Sequence, residues 1–216
     1  SANVNQKDKK GKTLLTNLIE IFNSKNVADH DKLYFEFAKL IIESGVDVNA
    51  KNSDNETALH YALKKKNKEM ISLLVESGAD VDMPNNNGVI PLKLAYDTND
   101  FDTIRLFLEN GANTEKKVKS KTLLHYAVEN NNLKIAKLLL DAEAYVDSSN
   151  GETGKTPLQV AYELDLTQMK ELLIQYNAND DFEFKVTNKF NDICPAPRKF
   201  KFSDIIKLRV NLLKNK

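Results

Sequence analysis

The chain has 216 residues, 41% of them apolar, with 31 Lys or Arg balanced by 31 Asp or Glu. Its single cysteine rules out an internal disulfide and fits a reducing compartment; no apolar run approaches the ~20 residues of a membrane-crossing helix, and the polar start lacks the apolar core of a cleaved leader. The neutral total conceals a split: from residue 182 onward nine basic residues face three acidic ones, a tail of +6 that leaves residues 1–181 at −6.

The first stretch with helical spacing opens at Gly11-Lys12-Thr13-Leu14-Leu15-Thr16-Asn17-Leu18. A second runs through Tyr34, Phe37, Ala38, Leu40, Ile41 and Ile42, with apolar positions three and four apart. Between them the polar run 22–32 predicts an inserted loop, in which His30 beside Asp29 and Asp31 reads as solvated rather than as a ligand cluster. Loops carry function disproportionately, so the insertion is also a candidate contact site.

From Thr57 the pattern becomes regular. Thr57 opens a short helix carrying Leu59, Ala62 and Leu63; Met70, Ile71, Leu73, Leu74 and Val75 make a second, and Gly78 ends it where a left-handed residue is needed. Ala79–Asp82 then leads into a polar hairpin tip. The next unit repeats this with Leu92, Leu94 and Ala95, then Ile104, Leu106, Phe107 and Leu108 before Gly111. The following one uses Leu123, Leu124 and Ala127, then Ile135, Ala136, Leu138, Leu139 and Leu140. Turn phrases begin at Thr57, Ile90, Thr122 and Thr156, steps of 33, 32 and 34; endings at Gly45, Gly78, Gly111, Glu143 and Asn177 step by 33, 33, 32 and 34.

Two phrases sharing one period mean that each unit is a supersecondary element that buries its apolar face only against its neighbours. Thr13 lies 44 residues before Thr57, eleven more than the usual step, and the excess falls in the insertion. Terminal units are atypical because one face must be wettable, and the first unit is expected to supply such a face. Glu143, standing where the first three endings have Gly, is expected either to carry a left-handed penalty of about 1 kcal/mol or to remodel the helix end; Asn177 tolerates that conformation better.

After Asp181 the periodicity stops. Phe182, Phe184 and Val186 alternate with polar residues as a short extended segment, and Cys194-Pro-Ala-Pro-Arg198 reads as a rigid turn holding a lone thiol. Ser203 is the N-cap of a helix to Lys214, with Asp204 at its start and Lys214 near its end suiting the dipole. Ile205, Ile206, Leu208, Val210, Leu212 and Leu213 make it too apolar to stand alone, so it must dock.

The phrases Thr57-Ala-Leu-His-Tyr-Ala, Thr122-Leu-Leu-His-Tyr-Ala and Thr156-Pro-Leu-Gln-Val-Ala, with their Gly-Ala-Asp-like endings, resemble the ankyrin repeat over roughly residues 8–181. The resemblance implies an all-α ankyrin-repeat solenoid of about five helix-turn-helix units with short hairpin loops, plus a C-terminal extension with one helix. Its parts are a degenerate N-terminal repeat with the inter-helix insertion (1–52), four repeats (53–181) and a basic extension (182–216). Stacked repeats give an extended concave surface that binds proteins, and similar proteins make contact mainly through hairpin tips and the exposed ends of first helices. Carried over, those places are Ser53, Asp54, Glu56, Lys64 and Lys65; Asn86, Asn87, Val89, Asp97 and Thr98; Lys119, Lys121, Glu129 and Asn130; and Lys155, Glu163 and Leu164. Val89 and Leu164 stand out as apolar residues that folding alone does not require.

No catalytic, metal or cofactor site is expected. His60 and His125 hold the same place two units apart, roughly 20 Å on a step of two helix diameters, too far to share a metal; the resemblance implies that each hydrogen-bonds across its turn phrase. Lys64-Lys65-Lys66 closes a helix, but Asp97 and Glu129 take equivalent places, so no basic stripe forms and nucleic acid is not an expected partner. The expected protein is a monomeric, non-enzymatic scaffold in the cytoplasm, or in a host cytoplasm if it is a secreted effector. An alternative makes it an adaptor whose C-terminal segment recruits machinery such as a ubiquitin ligase. The segment has no Leu-Pro-x-Glu start of an F-box. A third reading lays the basic, apolar tail helix on anionic membrane.

Overall fold

The computed structural model describes residues 5–21 and 28–180. Among them the chain forms ten α-helices, and no helix is long and apolar enough to cross a membrane. They come as five pairs: α1 (Leu14–Ile21) with α2 (Ala28–Glu43), α3 (Ala58–Lys65) with α4 (Lys68–Glu76), α5 (Pro91–Asp97) with α6 (Phe101–Glu109), α7 (Leu123–Glu129) with α8 (Leu133–Asp141), and α9 (Pro157–Glu163) with α10 (Thr167–Gln175). First helices stack on first helices and second on second. The expected Cys194 turn, the extended segment 182–186 and the 203–214 helix lie outside the described residues.

The core explains the period. In the first-helix layer Leu59, Leu92, Leu124 and Leu158 are at most 1% exposed, and Ala62, Ala95, Ala127 and Ala161 are fully buried. A buried Leu contributes about 2 kcal/mol, while an Ala at the contact lets two helices approach closely. Leu74, Phe107, Leu139 and Leu173 do the equivalent work in the second layer. This packing fixes the helical part of the second to fifth units. Thr57 to Gly78, Ile90 to Gly111, Thr122 to Glu143 and Thr156 to Asn177 are each a step of 21 positions. Among these four units, variation in the period therefore sits in the solvent-facing tips.

The tips show how. The N–H of Asn52 donates to the carbonyl of Glu56 and that of Asn85 to Val89, closing loops of four residues' separation. In each, the Asn side-chain oxygen accepts two further backbone N–H groups, from Asp54 and Glu56 or from Asn87 and Val89. The fourth unit, reached by the 32-residue step, replaces this with a two-residue turn. Val118 and Lys121 exchange backbone hydrogen bonds while Lys119 and Ser120 take φ of 48° and 64°, the geometry of a type I′ hairpin. The fifth, reached by the 34-residue step, closes from Asn150 to Lys155 with Gly154 at φ 70°.

Helix ends follow the residues available. Lys66, Asn99, Asn131 and Asp165 turn left-handed between the paired helices, and Asn67, Asp100 and Asn132 then cap the second helix by accepting from the N–H of Met70, Thr103 and Ile135. Of the two outcomes open at Glu143 the structure takes the left-handed one, φ 61°, and Asn177 adopts 62°.

Two expectations for the first unit are corrected. Residues 28–32 are not loop: α2 starts at Ala28 and has 16 residues where the other second helices have nine, so seven of the eleven extra residues lengthen a helix. No Gly or Pro interrupts that stretch. Nor does the unit turn a wettable face outward, since Leu14, Ile21, Leu33, Phe37 and Leu40 are 49–65% exposed. The fifth unit is the more polar one: Lys170 stands in the register of Ile71, Ile104 and Ala136, covering the Tyr162 ring and pairing with Asp165.

Candidate partner-binding face

The tips and first helices lie on one side of every unit, and their side chains are tied down by a repeated set of bonds. The residue before each turn phrase reaches the last turn of its own helix, eight positions on. Lys12 pairs with Glu20 at 2.6 Å, Glu56 with Lys64, Lys121 with Glu129 at 2.7 Å and Lys155 with Glu163 at 2.7 Å. The second unit carries the pair with its signs exchanged. In the third, Val89 replaces the first member and Asp97 is taken by Lys93 of its own helix.

Aromatic residues hold the tips to the helices beneath. Asn52 donates to the Tyr61 hydroxyl at 3.0 Å, and the Tyr126 hydroxyl donates to the carbonyl of Val118 at 2.9 Å. The ammonium groups of Lys12 and Lys64 lie 5.1 and 5.6 Å from the Tyr61 ring centre, and those of Lys93 and Lys121 lie 4.6 and 5.9 Å from Tyr126.

Neighbouring units are joined by two kinds of rung. Along the tips, Ser53 donates through its N–H and hydroxyl to the carbonyl of Lys10, the Asn86 N–H donates to the carbonyl of Asp54, and the Gly151 N–H donates to that of Ser120. Beneath them, the buried imidazole of His60 reaches the carbonyl of Val89 at 3.3 Å, and that of His125 reaches Lys155 at 3.0 Å. A carbonyl only accepts, so Nε2 carries the proton and Nδ1 accepts, from the Thr57 N–H in one case and the Thr122 hydroxyl in the other. Each histidine therefore ties its turn phrase to the next unit's tip. Burial holds both imidazoles below their ordinary pKa, against the opposing pull of the carbonyl. Burial likewise raises the Tyr96 and Tyr126 phenols, and the Glu129 carboxylate raises Lys121.

Between the third and fourth units both rungs are missing among the described residues: no backbone bond joins the 85–89 tip to the 118–121 tip, and Lys93 occupies the histidine position. The α5–α7 contact is also the loosest in the first-helix layer. Tyr96 fills this joint. It is 7% exposed, its ring lies 6.2 Å from that of Tyr126, its hydroxyl donates to the Tyr126 carbonyl at 2.7 Å, and it accepts from Asn130 at 2.7 Å.

Of the residues singled out from sequence, Glu56, Lys64, Lys121, Glu129, Lys155 and Glu163 are thus brought together in intra-unit pairs, and Glu56 is buried. Ser53 and Asn86 build the tip ladder, Asn130 supports Tyr96, the Thr98 hydroxyl caps its own helix through the carbonyl of Ala95, and Val89 is half-buried with its carbonyl engaged. Asp54, Lys65, Asn87, Asp97, Lys119 and Leu164 remain exposed on the surface. The tyrosines and Lys93 are additions that sequence reasoning missed; the recurrence of Tyr four residues after Thr57 and Thr122 was the available signal.

Comparison with known proteins agrees with this architecture. The family model described as ankyrin repeats, three copies, matches residues 26–118 and 110–184. No curated protein matches. Among solved structures, a crystal structure of an ankyrin repeat domain from Acinetobacter baumannii AYE is similar with a TM-score of 0.66 and 24% identity, over 83% of this chain and 88% of that one.

Proposed function

The chain belongs to the ankyrin repeat family, whose repeats are protein-interaction modules, and on that footing we propose that it is a non-enzymatic scaffold holding a partner protein against the concave face of its tips and first helices. The observation that supports this most directly is the bracing of that face. Paired charges eight residues apart in four of the five units, with tyrosines pinned to tips and histidine rungs in two of them, hold these side chains in fixed positions before any partner arrives. A surface ordered in advance loses little conformational entropy on binding.

The bracing also decides which residues meet the partner. Those locked into pairs shape the surface, and the exposed Lys65, Asn87, Lys119 and Leu164 make the contacts. Replacing Lys65, Asn87 and Lys119 together with Glu should leave the thermal unfolding midpoint within about 2 °C, since surface changes away from packing and caps cost little, while abolishing recovery of the bound protein in affinity purification read by mass spectrometry. Recovery of the same protein at the same yield would show that the face was wrongly chosen.

A further inference from the structure

The exposed apolar end of the first unit has the register of a stacking surface. Phe37 holds the place at which Met70, Thr103, Ile135 and Met169 are at most 4% exposed, yet it is 49% exposed. Leu14 holds the place of Ala58, Pro91, Leu123 and Pro157, all buried, and is 54% exposed. Leu33, Phe37 and Leu40 follow one another at spacings of four and three, a single stripe along α2. With Leu14 and Ile21 on α1, they offer on the order of 400–500 Å² of apolar surface if each shows about half of a large side chain. That is the apolar share of one side of a standard interface, which buries about 800 Å² per partner.

We propose that this end face docks a second copy of the chain. The charges beside the stripe select that occupant. Lys32, Glu36, Lys39 and Glu43 run along α2 at spacings of four, three and four and alternate in sign, with Glu36 and Lys39 3.9 Å apart. An alternating row read backwards is its own complement. About a two-fold axis near Phe37, Lys32 comes opposite Glu43 of the partner subunit and Glu36 opposite Lys39 of the partner subunit, while the apolar stripes meet antiparallel; a closed two-fold contact of this kind is self-limiting. The chain's own basic tail fits less well. The helix that the sequence leads one to expect over 203–214 would set Lys207, Arg209 and Lys214 against Lys32 and Lys39, and one helix would cover only one of the two that are exposed. The dimer replaces the monomer that the sequence suggests.

Sedimentation of the full chain tests this. Between about 1 and about 100 µM, the range of a micromolar dimer, the weight-average mass should rise from 24.4 kDa toward twice that value. Phe37→Glu with Leu40→Glu, both at exposed positions, should hold the mass at one chain without lowering the unfolding midpoint. Lys39→Glu should weaken association about tenfold by opposing two acids across the axis, and adding Glu36→Lys should restore it. In the tail, Leu208→Asp with Leu212→Asp should change nothing. A chain that stays monomeric throughout overturns the proposal, as does a tail variant that associates when the unmodified chain does not, because the tail would then be the face's cover.

Discussion

The joint between the second and third units and the joint between the third and fourth use the same pairs of helices and are held differently. The first has a tip rung from Asn86 to Asp54, a histidine rung from His60 to Val89 and closely packed α3 and α5. The second has neither rung; Tyr96 fills it, with further ties from Asn132 to Asn99 at 2.9 Å, from Lys93 to the Tyr126 ring and from Lys134 to the Phe101 ring. In a linear array stability is approximately a sum of unit and nearest-neighbour terms, so a joint is as strong as its own few contacts, and no distant part of the molecule compensates. The difference is traceable to two places: a tip shortened by one residue to a two-residue turn at 118–121, and Lys in place of His at position 93.

The sharpest way to break the comparison is to empty the weaker joint. Tyr96→Ala removes a buried ring and the two hydrogen bonds of its hydroxyl, and should cost about 3–5 kcal/mol. It should also uncouple the halves, so that urea unfolding followed by circular dichroism separates into two steps. Removing Leu59, buried between units with intact rungs, should lower stability while keeping one transition. A single transition for both variants would mean that the joints are equally coupled.

Next in size are the rungs themselves. His60→Ala and His125→Ala each leave a carbonyl and a turn donor without their partner in a buried setting, a loss of about 1–3 kcal/mol. Lys93→Ala, at the same position in the third unit, gives up ring contacts and an ion pair whose carboxylate is open to solvent, and should cost about 1 kcal/mol. Equal losses at all three positions, measured by chemical denaturation, would remove the distinction between rung and gap.

How far this was legible in the sequence differs by element. The turn phrases could be read directly, because one small set of residue types recurs at a fixed place; the resemblance implied that His60 and His125 bond across their own turn phrases, but not that they reach the next unit's tip. The charge pairs could not be read. Lys121 and Glu129 are eight apart, outside the three- and four-residue rules for a helix, and meet only because the tip folds back over its own helix. They looked like contact residues for that reason. The I′ turn at Lys119-Ser120 was hidden by the absence of the Asn-Gly or Asp-Gly that usually signals it, and the extension of α2 by a polar stretch that reads equally well as loop. A polar segment has no inward face for periodicity to reveal.

A smaller gain is expected where the backbone is strained on the outer side of the fourth unit. Glu143 holds φ 61° in the place that Gly45, Gly78 and Gly111 fill with φ of 80–86°. Glu143→Gly removes a left-handed penalty of about 1–2 kcal/mol and adds unfolded-chain entropy of up to about 1 kcal/mol, for a net stabilisation of about 0.5–1 kcal/mol. Asn177→Gly, replacing a residue that tolerates the conformation, should give less. If the order of the two is reversed in thermal melts, strain at this position is not what distinguishes the units.

The two rungs also make the stronger joints sensitive to acid in a way that the Tyr96 joint is not. His60 and His125 are harder to protonate in the fold than in the unfolded chain, whose imidazoles titrate near 6.5. Above that value neither state is protonated there and the rungs contribute fully. As pH falls below about 6.5 the unfolded chain takes up protons that the fold refuses, so stability declines until the folded imidazoles also titrate. Glu20 acts lower, since Lys12 holds its carboxyl below the ordinary 4.5. A shallow fall in stability between about pH 6.5 and 5 should therefore vanish in a His60→Gln, His125→Gln double variant, with the steeper loss below pH 4.5 retained. Persistence of the upper slope in that variant would assign it to groups other than the rungs, and would leave the difference between the joints a matter of packing alone.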